Sequence, residues 1–172
     1  DDTSTMQVTN GDGDTQEYYN WSHVSGTQLD DVFIGNDGYQ NFRSIGGNDT
    51  FTGGAGKDVF RIEFDDYYGD YYTDFMLASM SNFDPNGTAR SIHITDYEAG
   101  ERISVEEFGF ADMGFLVYEG LFVNYDSALD QTHVSITTPL VEFNDLIVID
   151  GDWTLSNAYI DEDHGYDDLQ IF

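Results

Sequence analysis

Phenylalanine recurs at 33, 42, 51 and 60, each nine residues after the last. Written in nines from Gly26, the chain reads GTQLDDVFI, GNDGYQNFR, SIGGNDTFT and GGAGKDVFR. The eighth place is Phe every time. The sixth is Asp31, Gln40, Asp49 and Asp58, and glycine crowds the first four places. A period this short constrains the chain severely, because every nine must repeat one local geometry and stack on its neighbours. The six Gly-rich residues form a turn that needs backbone conformations closed to bulky residues. The last three, x-Phe-x, form a short strand with one side chain pointing inward. Two nines complete one coil, so a nine and the next but one stack on the same side, about 4.8 Å apart. One nine earlier, EYYNWSHVS puts Val24 in the apolar place and Ser22 in the acid place, a decayed half-turn without a carboxylate.

Stacking has an electrostatic consequence. The sixth-place acids face one another across each gap and repel unless a cation lies between them. Carbonyls of the Gly-rich turns complete an oxygen cage, the donor set of a hard dication such as Ca²⁺. The whole chain shares the problem: 34 Asp and Glu stand against 5 Lys and Arg, a formal net charge of −29. That balance excludes nucleic acid and anionic membrane surfaces as direct partners, since both need clustered cations. A composition 40% hydrophobic and 16% aromatic suffices for a core and separates the chain from acidic disordered tails. With no cysteine there is no disulfide, thiolate metal site or cysteine nucleophile. No run of 18 apolar residues is present to span a membrane as a helix.

The nine GGAGKDVFR fits the nonapeptide G-G-x-G-x-D-x-U-x at every fixed place. The chain therefore resembles the RTX, or haemolysin-type calcium-binding, family. The resemblance implies that each ion takes carbonyls of the second and fourth places and the sixth-place side chain from one turn. From the turn two repeats on, it takes carbonyls of the first and third places and the sixth-place acid. Carried over, one site is Thr27, Leu29, Asp31, Ser44, Gly46 and Asp49, and another is Asn36, Gly38, Gln40, Gly53, Ala55 and Asp58. Gln40 replaces an anionic ligand with a neutral one, and Leu29 stands where the pattern has Gly. The upper half-sites, Ile45-Gly47-Asp49 and Gly54-Gly56-Asp58, take partners from further along the chain. Asp49, as the middle acid, is expected to face one ion below with Asp31 and another above.

Beyond the repeats, Val59 to Phe64 alternates with Phe60, Ile62 and Phe64 inward. Residues 65–91 break the pattern and read as an inserted loop with one short helix, DFMLASM. Its Tyr67, Tyr68, Tyr71 and Tyr72 are candidates for stacking sugar rings, or else cover the roll. The following IHITDYEAGERISV resembles the strand-turn-strand that closes the roll in serralysin-type proteases and alginate epimerase R-modules. On that resemblance Asp96 is a ligand of a terminal Ca²⁺, while Ile92 stands where an earlier acid is usual. Strands are then expected at 115–118, 121–125, 133–137 and 141–149. Residues before the repeats, QVTN-GDGD-TQEYYNW, read as a hairpin, with Asp12 and Asp14 in a plain turn or on a cation. The tail holds a D-x-D-x-G fragment, and its apolar end, Leu169, Ile171 and Phe172, resembles type I export signals.

The four His, at 23, 93, 133 and 164, form no metal-ligating pair, and no nucleophile motif is present, so no catalytic residue is assigned. DDTSTMQV lacks a charged leader, an apolar segment and an initiator Met, and is read as the start of a mature or excised module. The expected fold is all-β: a parallel β-roll of nonapeptide repeats running into a β-sandwich-like C-terminal cap. The parts are a lead-in hairpin at 1–25, the calcium roll at 26–64, the inserted loop at 65–91 and the cap at 92–172. The expected function is that of a non-catalytic calcium-binding module of a secreted bacterial protein, exported by type I machinery and folded outside by two to four Ca²⁺ ions. The alternative is a carbohydrate-binding or adhesive module for extracellular polysaccharide, with calcium as scaffolding.

Overall fold

The computed structural model describes residues 5–19, 21–63, 91–109, 120–137, 142–154, 158–161 and 167–171. The expected helix DFMLASM, the strand at 115–118, Phe64 and the four loop tyrosines lie outside these residues. The described residues are all-β, with no helix. No helix among them is long and apolar enough to cross a membrane.

The described residues form fourteen strands. They are β1 Thr5–Thr9, β2 Thr15–Tyr19, β3 His23–Ser25, β4 Val32–Ile34, β5 Asn41–Ser44, β6 Thr50–Thr52 and β7 Val59–Glu63. Then come β8 Ile92–Ile94, β9 Arg102–Gly109, β10 Gly120–Asp126, β11 Gln131–Thr137, β12 Glu142–Asp150, β13 Ala158–Asp161 and β14 Asp167–Ile171. They form two sheets, one ordered β10-β11-β12-β8-β6-β4-β1-β2 and the other β13-β14-β9-β7-β5-β3. From β3 to β9 successive strands alternate between the sheets, and each pairs in parallel with the next but one.

The pairing register is that of the sequence period. Phe33 pairs with Phe51 and Phe42 with Phe60, eighteen residues apart. Val24 pairs with Phe42 and is buried, so EYYNWSHVS does supply a half-turn with valine in the aromatic place. The register continues past the repeats: Ile94 pairs with Phe51 and Ile103 with Phe60.

A three-residue strand buries one side chain. In β4 the neighbours Val32 and Ile34 are exposed while Phe33 is fully buried. All four phenylalanines are fully buried and interlock across the gap between the sheets. Ring centroids are 4.7 Å apart for Phe33–Phe51, 5.5 Å for Phe33–Phe42, 5.7 Å for Phe42–Phe51 and 5.6 Å for Phe51–Phe60. Tyr97 extends the column, 6.4 Å from Phe60 and 5.0 Å from Trp153.

The flanks are antiparallel. β1 and β2 form the expected hairpin, and β1 pairs antiparallel with β4. Its turn is closed by Asn10, whose Oδ1 and carbonyl accept from Asp14 and Gly13 N–H. The expected strands at 121–125, 133–137 and 141–149 correspond to β10, β11 and β12. They extend the first sheet beside β8, with Ile147 against Ile92. β14 lies between β13 and β9, and its Ile171 is fully buried opposite Ile103. The apolar chain end thus has a packing role in addition to any role in export.

The column makes unequal demands on its members. Phe42 and Phe51 each touch three other phenylalanines, whereas Phe33 touches two. Phe51→Ala is expected to cost about 3–5 kcal/mol and Phe33→Ala less, with Phe51→Leu milder than either. Urea unfolding of the three variants checks this order, and equal midpoints for Phe51→Ala and the parent chain refute it.

Candidate metal centre

The turns that link the two sheets form two stacks. On one edge, 44–49 lies over 26–31. On the other, 53–58 lies over 35–40 and is followed by 95–101. Contact within each stack is close enough to demand glycine. A Cβ on Gly47 (φ +74°) would lie 2.4 Å from the Leu29 carbonyl carbon, and one on Gly54 (φ +86°) 2.3 Å from Asn36 O. Leu29 itself is not at positive φ and exposes its side chain, which explains why this place tolerates a residue other than Gly.

Within a turn the sixth-place side chain folds back over the first residue. Gly26 has Asp31 Oδ2 where a Cβ would stand (2.4 Å), Gly53 has Asp58 Oδ2 (2.5 Å), and Gly35 has Gln40 Oε1 (2.8 Å). All four sixth-place residues, Asp31, Gln40, Asp49 and Asp58, are 1% exposed. Between turns, the sixth-place N–H of one donates to the sixth-place carboxylate of the next. Asp31 N–H reaches Asp49 Oδ1 at 2.8 Å, and Gln40 N–H reaches Asp58 Oδ1 at 2.7 Å.

The structure therefore brings together both expected sets. Thr27, Leu29 and Asp31 lie beneath Ser44, Gly46 and Asp49, and Asn36, Gly38 and Gln40 beneath Gly53, Ala55 and Asp58. The carbonyls of Asn36 and Gly38 lie against the next turn at Gly54 and Gly56. The upper half-sites differ from each other. Above Asp49, where a second ion was expected, stands Ile92, fully buried, so the half-site Ile45-Gly47-Asp49 gains no acid there. Above Gly54-Gly56-Asp58 stands the turn 95–101. Asp96 accepts from Gly53 N–H at 2.7 Å and from Gly54 N–H at 2.8 Å.

That turn holds an acid that reading by nines missed. Arg102 pairs with Val59 and Ile103 with Phe60, which places Glu101 over Asp58. The signal was present in the chain: Ile94 and Ile103 are themselves nine apart, and Glu101 precedes Ile103 by two as Asp58 precedes Phe60. Asp58, not Asp49, is thus the acid with sixth-place partners on both sides. A second polar ladder also escaped notice. Asn48 N–H donates to Asp30 Oδ1 and Ser91 N–H to Asn48 Oδ1, both from the fifth place.

The sites differ in how far they satisfy themselves. Asp31 accepts from the N–H and hydroxyl of Thr27. Gln40 donates to Asn36 Oδ1 at 2.7 Å and accepts from Asn36 N–H at 3.4 Å. By contrast, Asp58 Oδ2 and Glu101 Oε1 are buried with no hydrogen-bond partner among the described residues, although both residues are 1% exposed. Burial is the main cause that pushes Asp58 up to about 6; bonds from Gln40 N–H and from the Glu101 carboxyl lower it, and repulsion from Asp96 and Glu98 adds to the rise. Burial likewise pushes Glu101 up to about 8, with Asp58 adding to it. Tyr97, whose hydroxyl donates to Glu101 O at 3.0 Å, is pushed up to about 12 by burial and by the Glu101 charge.

Two buried, unpartnered carboxylate oxygens fit a hard cation, since a positive charge there would remove both penalties at once. Asp58 and Glu101 would hold it from the side chains, whereas both oxygens of Asp96, the ligand expected from the sequence, already accept from Gly53 and Gly54 N–H. Among the described residues no three His, Asp or Glu side chains already converge as a complete metal site, so carbonyl donors are required. The described histidines are engaged in small polar pairs: His93 with Asp150 at 2.8 Å, His133 with Asp145 at 3.4 Å and His23 with Ser22 at 2.9 Å. The tail fragment and His164 lie outside the described residues.

No protein-family model matches this chain, and no curated protein matches it.

The carboxyl pair dictates a pH trend for the metal-free chain. A carboxyl whose pKa is raised by folding favours the fold below its ordinary range and loses that contribution as pH climbs through the raised values. In chelator, the melting temperature of the parent chain is expected to fall relative to that of Glu101→Gln as pH rises from 5 to 8. Parallel pH profiles for the two proteins would show that the pair is not buried together.

Proposed function

We propose that the chain is a calcium-binding β-roll module of the RTX, haemolysin-like type, a non-catalytic part of a secreted bacterial protein that folds on Ca²⁺ after type I export. The observation that carries this reading is the pairing register that stacks Asp49 over Asp31 and Asp58 over Gln40, each eighteen residues apart, and then Glu101 over Asp58, all buried. An ion bound in these turns supplies positive charge to oxygens that water no longer reaches. The chain supplies the rest. Glycines let the turns approach, the phenylalanine column fixes their spacing, and Asp96 holds the N–H groups of Gly53 and Gly54 in place.

The physical logic suits a secreted protein. Where Ca²⁺ is scarce, the stacked acids and the net charge of −29 oppose the fold. At a calcium concentration about 1,000 times a site's dissociation constant, binding stabilises by roughly 4 kcal/mol per site. Two or three such sites supply much of a domain's usual stability of about 5–15 kcal/mol.

Circular dichroism should show less β-structure and a lower melting temperature in chelator than in millimolar Ca²⁺. Mg²⁺ should substitute poorly, because it demands a small octahedral shell and keeps its waters. Among variants, Asp58→Asn should raise the calcium needed for folding more than Asp31→Asn, since Asp58 has sixth-place partners above and below. Gln40→Asp should lower it by adding an anionic ligand. Spectra and melting curves indifferent to chelator would refute the reading, and a Gln40→Asp chain that needs more calcium would refute the assigned register.

A further inference from the structure

The outer face of the second sheet carries a cleft of about 420 Å³, lined by His23, Val24 and Ser25 on β3, Asn41 and Arg43 on β5, and Arg61 and Glu63 on β7. It lies away from the turn stacks, and no part of the proposed calcium chemistry uses it. Its volume falls in the range of about 300–1,000 Å³ usual for small-ligand sites. It also has depth: Asn41 and Glu63 point outward from the sheet yet are 8% and 6% exposed.

The lining is that of a polyol site. Arg43 Nη2 donates to Glu63 Oε1, so a planar donor fork and a carboxylate acceptor are held together. Arg43 still exposes 41% of its side chain. Asn41 adds an amide with both donor and acceptor character, its Nδ2 lying 3.5 Å from the Tyr39 hydroxyl. Tyr39, 47% exposed, stands at the rim with its ring edge-on to His23, centroids 6.2 Å apart. A sugar hydroxyl both donates and accepts, and vicinal hydroxyls match paired planar groups. The C–H face of a pyranose packs on an aromatic ring.

Charge selects among saccharides. The cleft lining carries Arg43 and Arg61 against Glu63, but the remainder of the molecule is strongly anionic, so a polyanion approaches against the net field. We propose that this cleft binds a neutral hexopyranose unit of a glycan, gripped by the Arg43–Glu63 pair and Asn41 with Tyr39 as its aromatic wall. The proposal does not depend on the calcium reading, and the two fail separately.

The test uses the full chain in buffer with calcium and, in parallel, with chelator. Immobilised neutral oligosaccharides of glucose, galactose and mannose are presented beside polyuronate and sulfated polymers. The parent chain should be retained on at least one neutral series. Arg43→Met and Glu63→Gln should each weaken binding at least about tenfold and Tyr39→Ala about fivefold. The calcium requirement of Arg43→Met and Glu63→Gln for folding should stay unchanged, which separates loss of the cleft from loss of the metal centre. Should Arg43→Met not fold, Ser25→Trp fills the exposed mouth without touching the core and should abolish retention. The proposal is overturned if the parent binds no neutral series, if it binds only the anionic polymers, or if Arg43→Met or the blocked mouth binds as the parent does.

Discussion

An acid stacked on an acid is the constraint from which the remainder of this molecule follows. A nine-residue period with two nines per coil returns the sixth place to the same edge every eighteen residues, so whatever stands there is repeated through the stack. With aspartate in that place the repulsion recurs at each level and is buried, because the turns close over it with glycine contacts of 2.3–2.4 Å where a side chain would stand. Repulsion of this kind is weak between solvated carboxylates and strong between buried ones. One buried pair, Asp58 and Glu101, has oxygens left over and both carboxyls raised well above their ordinary range.

What holds the coils against that repulsion is the phenylalanine column. A three-residue repeat strand such as β4 or β6 contributes only one inward side chain, so aliphatic residues there would leave the narrow space between the sheets thinly filled. Six-membered rings 4.7–6.2 Å apart fill it and touch both across and along the stack. Aromatics in the eighth place and acids in the sixth thus act in opposition on the same coil. One drives stacking through burial of apolar surface, and the other resists it through burial of charge.

The parts of the fold legible in the sequence were those with a local period. Phe33 to Phe60 announced the strands, their eighteen-residue pairing and the inward face, and Val24 in place of Phe was recognisable from spacing alone. The turn chemistry named the residues that meet at each level. Glu101 escaped because the stretch between Glu63 and Ser91 breaks the count, and a register can be resumed only from its own internal spacing, here Ile94 and Ile103. The positions of β10–β12 beside β8, and of β14 beside β9, escaped for a different reason. Those pairings join residues far apart in the chain through side chains that any strand of the same alternation would offer. Nothing in the period marked the cleft either, since its residues are the outward ones that repetition leaves free to vary.

The two ends of the longer turn stack differ in a way that gives the molecule a direction. At the N-terminal end Gln40 and Asn36 satisfy each other, and Gln40 N–H reaches the carboxylate above. Thr27 does the same for Asp31 on the other edge. These turns close with the hydrogen bonds that the chain itself supplies. At the C-terminal end one oxygen of each acid, Asp58 Oδ2 and Glu101 Oε1, has no such donor among the described residues, and the closing strand β9 follows immediately after Glu101. β9 in turn carries β14, and Ile171 packs on Ile103 two residues beyond Glu101. A charge placed between Asp58 and Glu101 would therefore act at the junction where the repeats meet the C-terminal strands of the second sheet. A neutral glutamine at the far end and an acid pair with oxygens to spare at this one make the last coil, not the first, the place where a bound cation would bear on whether the two parts of the fold join.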